Sequence, residues 1–158
     1  MSWCWSRSAL LLAAAAAAAP ARAGAQSVTE AQVWGTATAS KPAFYGGGFG
    51  FAWRDAQRDR LAPALAFGAF GDGRFGVRAD LAYHFLLDPA KRSGPAVYGG
   101  GGLTAAARQG RVVPYLLLVL GVENAPGGNG GSFLEIGVGG GARIAVGYRW
   151  RKHNAPGR

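Results

Sequence analysis

Catalysis in this chain would have to begin at His84. Asp80 and Arg78 lie four and six residues earlier on the same strand face. A histidine oriented by a carboxylate is the arrangement that activates a hydroxyl or thiol nucleophile. The nucleophile is what fails. The single cysteine, Cys4, falls in a leader-like stretch, and beyond it serine occurs only at Ser27, Ser40, Ser93 and Ser132, all outside strand interiors. The other histidine, His153, sits in a basic C-terminal stretch, and two histidines without cysteine do not make a structural zinc site. Residues 137–142 (GVGGGA) match G-x-G-x-x-A formally, but a dinucleotide site needs a helix next and an acidic residue ~20 positions on. The following residues alternate like a strand, and no glycine-lysine pair followed by serine or threonine occurs. The residues thus predict no catalytic, cofactor-binding or metal site. Arg78, Asp80 and His84, with Glu135 and Arg149, read instead as a structural cluster of charges filling an interior.

The element that positions His84 is residues 75–85, FGVRADLAYHF. Phe75, Val77, Ala79, Leu81, Tyr83 and Phe85 fall on one face of a strand; Gly76, Arg78, Asp80, Ala82 and His84 fall on the other. At helical spacing Arg78 would share a face with Phe75 and Leu81, so the period is two. The same alternation recurs at 44–53, where Tyr45, Phe49, Phe51 and Trp53 oppose Gly46, Gly48, Gly50 and Ala52, and at 61–70, with Leu61, Leu65 and Phe67. The turn at 71–74 (GDGR) joins two of these strands into a hairpin. Residues 33–39 form the weakest candidate, after an unpaired lead-in at 26–31 and before a turn at 40–42.

Beyond 85, residues 86–95 are a loop, 96–103 a glycine-rich strand and 104–111 a polar connector. Residues 112–122 (VVPYLLLVLGV) are too short for a spanning helix, which needs ~20 residues, and fit a lipid-facing strand of about 9–11. A loop at 123–132 precedes a last hairpin, 132–139 with 143–150. Leu134, Ile136 and Val138 share a face with Ile144, Val146, Tyr148 and Trp150 only if the loop is odd, so 140–142 is expected. That register sets Gly147 opposite Glu135 and Arg149 diagonally beside it.

Residues 1–25 carry the three parts of a cleaved secretory signal: Arg7, the apolar run 9–19 and small residues ending at Ala25. Its removal leaves no cysteine, a charge of +7, and a domain held by its core, a partner or a bilayer. The basic charges are scattered, as in Arg54, Asp55, Arg58, Asp59 and Arg60, which excludes a nucleic-acid stripe and fits anionic lipid phosphates or a charged lumen. Apolar faces on nearly every strand, after an export signal, place lipid outside and polar groups inside. The aromatics Trp34, Trp53, Tyr83, Phe85, Tyr98, Tyr115, Tyr148 and Trp150 are then expected in interfacial girdles.

Residues 143–150 (RIAVGYRW) resemble the terminal strand by which outer-membrane barrels are recognised for assembly: Arg143, Tyr148 and Trp150 match that signal, and Ala145 stands where glycine is usual. Over residues 33–151 the chain is similar to small OmpA- or OmpX-type barrel domains. The resemblance implies an all-β, antiparallel, up-and-down transmembrane barrel of about eight strands at residues 26–151, with a basic tail at 152–158. It implies an outer-membrane location; with no nucleophile in reach of His84, the expected role is non-enzymatic, structural or surface-interacting. Its partners would be outer-membrane lipid and the barrel-assembly machinery, and its state monomeric. Some such barrels are lipid-modifying enzymes, but the deacylase type has serine two residues after its histidine, and position 86 is Leu. The remaining alternative is a secreted soluble barrel binding a small apolar ligand. Family topology makes the turns at 40–42, 71–74 and 140–142 extracellular, where longer loops are usual; either one strand is miscounted, the first being the suspect, or the usual asymmetry is absent.

Overall fold

A computed structural model describes residues 27–54 and 58–154; the signal at 1–25, part of the connector at 54–60 and the tail beyond 154 lie outside the described residues. Eight strands follow in order: β1 Val28–Ala39, β2 Phe44–Arg54, β3 Asp59–Phe70, β4 Phe75–Leu86, β5 Pro95–Arg108, β6 Arg111–Asn124, β7 Gly130–Val138 and β8 Ala142–His153. Each pairs antiparallel with the next, and β1 also pairs with β8, closing the barrel. Closure gives every strand a hydrogen-bonded neighbour on both sides, the condition for placing a sheet in hydrocarbon.

The first strand is real and longer than its sequence pattern suggests. The lead-in at 26–31 was expected to be unpaired, yet Val28, Glu30 and Ala31 pair with both β2 and β8. The strand count therefore stands, and the loop asymmetry is what departs from expectation. The end opposite the termini carries only the turns 40–43, 71–74, 109–110 and 139–141, while residues 87–94 make the longest connection, at the end that holds Val28 and His153.

Alternation sorts the side chains as the sequence implies. Even-numbered residues face inward on β1 to β5 and odd-numbered ones on β6 to β8. The parity changes in the β5–β6 turn, where Arg108 pairs with Arg111 across two residues, Gln109 and Gly110, both with positive φ. The expected connector at 104–111 is therefore strand to Arg108. Alanines at 105 and 107 gave its outer face no apolar signal, so the alternation was invisible there.

In the last hairpin the loop is odd, but it is Gly139–Gly140–Gly141, so Val138 pairs with Ala142. Gly140 and Gly141 have φ of 72° and 149°, conformations that glycine adopts without strain, so the turn takes both glycines and releases Ala142 to the strand. Glu135 consequently faces Ala145, two residues from the expected Gly147.

The outer wall is a continuous apolar band, including Val33, Phe49, Leu81, Leu103, Leu118, Leu120, Ile136, Ile144 and Val146. Toward the termini it ends in Trp53, Tyr83, Phe85, Tyr148 and Trp150; toward the other rim lie Tyr45, Phe67 and Phe75. Three of the expected girdle aromatics are absent from it. Trp34 and Tyr98 are buried inside the barrel, and Tyr115 lines the mouth. All three sit on inward parity, and Trp34 and Tyr98 fit there because a glycine on the neighbouring strand leaves room.

Gly121 lies under the Tyr98 ring, and a methyl group at Gly48 would come 2.6 Å from the Trp34 indole. Gly121→Val is therefore expected to displace Tyr98 and lower stability by about 1–3 kcal/mol, as overpacking does. The check is the urea midpoint of the folded, heat-sensitive gel band. An unchanged midpoint would mean that the lumen has slack at this level.

Candidate functional site

The lumen holds the chain's concentrated chemistry, and it is organised in three levels. At the terminal end, β1, β2, β3, β6 and β8 converge Glu30, Arg54, Arg60, Glu123, Arg149 and Arg151, all buried. Glu123 is the hub. It accepts from Arg60 Nη2 at 2.7 Å, Arg149 Nη1 at 2.5 Å and Arg151 Nη2 at 3.1 Å. Glu30 bridges Arg60 Nε at 3.0 Å and lies 3.5 Å from Arg151. Arg54 donates to the Pro126 carbonyl at 3.0 Å, and Arg149 to Gln32 at 2.8 Å. The Arg149 guanidinium also lies 4.1 Å from the Phe133 ring centroid.

Tyr98 links this level to the next. Its hydroxyl accepts from Arg149 and donates to Glu135, both at 3.1 Å. In the second level Arg143 bridges two carboxylates, Asp80 at 2.6 Å and Glu135 at 3.0 Å. His84 is buried 4.0 Å from Glu135 and stacks obliquely beside Tyr98, and neither ring nitrogen has a hydrogen-bond partner. In the third level Arg78 donates to the Gly139 carbonyl at 2.6 Å and to Thr104 at 3.3 Å.

All five expected cluster residues, Arg78, Asp80, His84, Glu135 and Arg149, point inward, but they do not form one group. Arg149 was expected beside Glu135; it pairs with Glu123 instead, and Arg143 takes Glu135. The two-residue shift of the last hairpin is the reason, since it moves Arg149 toward the terminal end. Of the assembly-signal residues, Tyr148 and Trp150 are exposed on the outer wall, whereas Arg143 is committed to the lumen.

Glu30, Arg54, Arg60, Glu123 and Arg151 escape the sequence pattern because their strands run on past the last apolar residue. Each lies one residue past an outward apolar anchor or extends its parity: Trp53 to Arg54, Leu61 back to Arg60, Val122 to Glu123, Trp150 to Arg151. Continuing the parity by one residue finds Arg54, Arg60, Glu123 and Arg151, whereas Glu30 lies three residues before Val33, within the stretch expected as an unpaired lead-in.

What can this arrangement do? Between the levels lies a central cavity of about 20 Å³, lined by Asp80, His84, Glu135 and Arg143 among others. That is room for about one water and for no substrate. Buried aromatics Trp34, Phe44, Phe70 and Phe133 fill much of the remaining interior. The lumen is a plug of paired charges and rings.

An eight-stranded closed barrel, apolar outside and charged within, is the fold of the small outer-membrane β-barrels. No protein-family model and no curated protein matches the sequence. Among solved structures, the N-terminal β-barrel domain of Pseudomonas aeruginosa OprF is similar, with a TM-score of 0.64 at 15% identity, covering 82% of this chain and 100% of that one. Neisserial surface protein A gives 0.54 at 12% identity, covering 80% and 98%. Ail, the attachment invasion locus protein of Yersinia pestis, in complex with the heparin analogue sucrose octasulfate, gives 0.50 at 10% identity, covering 81% and 99%.

Proposed function

We propose that the protein is an integral outer-membrane barrel, without catalytic activity, that serves as a structural element of the envelope. The observation that supports this most directly is the pairing of an apolar wall with a filled, ion-paired lumen. The wall suits hydrocarbon, and the central lumen leaves no space for a substrate or a conducting path. His84 has a carboxylate near it, but no serine lies in the central cavity, so a lipid-modifying reading has no nucleophile to work with.

Turns of two to four residues opposite the termini confine surface contacts to the rim itself. The protein acts as a monomer, with residues 1–25 removed on export. Its direct partners are outer-membrane lipids, whose phosphates suit the basic residues at the barrel ends, and the assembly machinery. With Arg143 engaged inside, recognition of β8 rests on Tyr148 and Trp150.

The test is gel migration of the detergent-extracted protein, boiled against unboiled, together with cell fractionation. A heat-dependent shift in protein from the outer-membrane fraction is expected, because closed barrels resist detergent in the cold. Soluble periplasmic protein with no shift would overturn the reading and turn the apolar faces inward.

A further inference from the structure

The two ends of the lumen differ in how their charges are neutralised. At the terminal end Glu30 and Glu123 together engage Arg54, Arg60, Arg149 and Arg151. At the opposite end the barrel opens into a bowl of about 650 Å³ whose lining includes Lys41, Arg74, Arg78, Arg108 and Arg111. The turns at this end contain one carboxylate, Asp72, which takes Arg108 at 2.8 Å and lies 3.8 Å from Arg74. Arg78, buried in the floor, has only the neutral acceptors Gly139 O and Thr104 Oγ1. Among the described residues, Lys41 and Arg111 have no ion pair.

Five cations against one carboxylate, converging from two turns and three strands on one concave space, is more than solubility requires. The inward parity of Arg78, Arg108 and Arg111 points them at the lumen axis and away from the lipid-facing wall. Arginine presents a planar fork of donors that matches phosphate and sulfate oxygens bidentately, and it remains charged at any physiological pH. Gln109 and Tyr115 add neutral polar groups to the lining. The volume suits a small molecule bearing several anionic groups and far exceeds what one phosphate fills.

We propose that this bowl is a binding site for an oligoanion carrying several phosphate or sulfate groups, entering along the barrel axis. Arg78 forms the floor, and Lys41, Arg108 and Arg111 close around the ligand, with Arg108 exchanging Asp72 for it. The site goes beyond the structural role proposed above and does not depend on which rim faces outward.

The experiment is calorimetric titration of the folded full chain, in uncharged detergent micelles, with tripolyphosphate and separately with inorganic phosphate. Saturable one-to-one binding of tripolyphosphate, tighter than that of phosphate, is expected. Arg108→Gln with Arg111→Gln should weaken it at least about tenfold, the effect of roughly 1.4 kcal/mol. Lys91→Gln with Arg92→Gln, at the opposite end, removes the same charge and should leave it nearly unchanged. No saturable binding, or equal loss in both double variants, would overturn the proposal. The heat shift confirms folding of each variant; should Arg108→Gln fail to fold, Lys41→Gln with Arg111→Gln takes its place with the same expected loss. Micelles doped with phosphatidic acid identify the source of the anion. Arg111-dependent displacement of tripolyphosphate assigns a lipid headgroup, and its absence assigns a soluble oligoanion.

Discussion

Replacing Glu123 with glutamine is expected to produce the largest loss of stability available from one near-isosteric change. Glu123 is only 1% exposed and accepts from three arginines on β3 and β8. Removing its charge leaves Arg60, Arg149 and Arg151 with Glu30 as the remaining carboxylate of that level. Breaking a buried ion pair from one side typically costs about 3–5 kcal/mol, because the partner's charge stays desolvated. The urea midpoint of the folded gel band should fall accordingly. Asp72→Asn makes the comparison sharp. Asp72 pairs with Arg108 at an almost equal distance, 2.8 Å, but its side chain is 34% exposed, and an open pair of this kind is worth about 0–1 kcal/mol. Similar losses from the two variants would mean that water reaches Glu123 and that the plug is open. The result bears on function, since a hydrated terminal level would restore a path through the lumen.

The second prediction concerns the wall. Leu118 sits midway along β6, points outward and is 60% exposed. In a soluble protein, arginine at such a position would cost little and improve solubility. In a bilayer, an outward arginine near the midplane costs about 2–4 kcal/mol, and the cost falls to about 0–1 kcal/mol near the interfaces. Leu118→Arg should therefore destabilise the barrel folded into phospholipid vesicles, while Val112→Arg, outward at the rim end of the same strand, should be nearly silent. The depth dependence is the diagnostic. Equal tolerance at both positions would exclude lipid against this face and leave the apolar band without an explanation.

The sequence by itself determined which face of each strand is apolar. Alternation has a period of two residues and is enforced locally, so Phe75 through Phe85 declares its two sides without any knowledge of neighbours. From that follow the all-β class, the hairpin at 71–74 and the inward direction of Arg78, Asp80, His84, Glu135 and Arg149. The local signal failed where outward residues are small, as at Ala105 and Ala107, and where strand ends run past their last apolar anchor, as at Glu30, Arg54 and Glu123.

Only the tertiary structure decided which charges meet. Closure of β1 on β8 and the stagger of eight strands set the height of each side chain in the lumen, and no local pattern encodes either. Arg60 finds Glu123 sixty-three positions away, and Arg149 finds Gln32 across 117 positions. A two-residue shift in one glycine turn was enough to exchange the partner of Glu135 from Arg149 to Arg143. The same closure brings Lys41, Arg74, Arg108 and Arg111 from separate turns and strands around one mouth. In a barrel, parity is a property of the strand, whereas pairing across the lumen is a property of the closed ring.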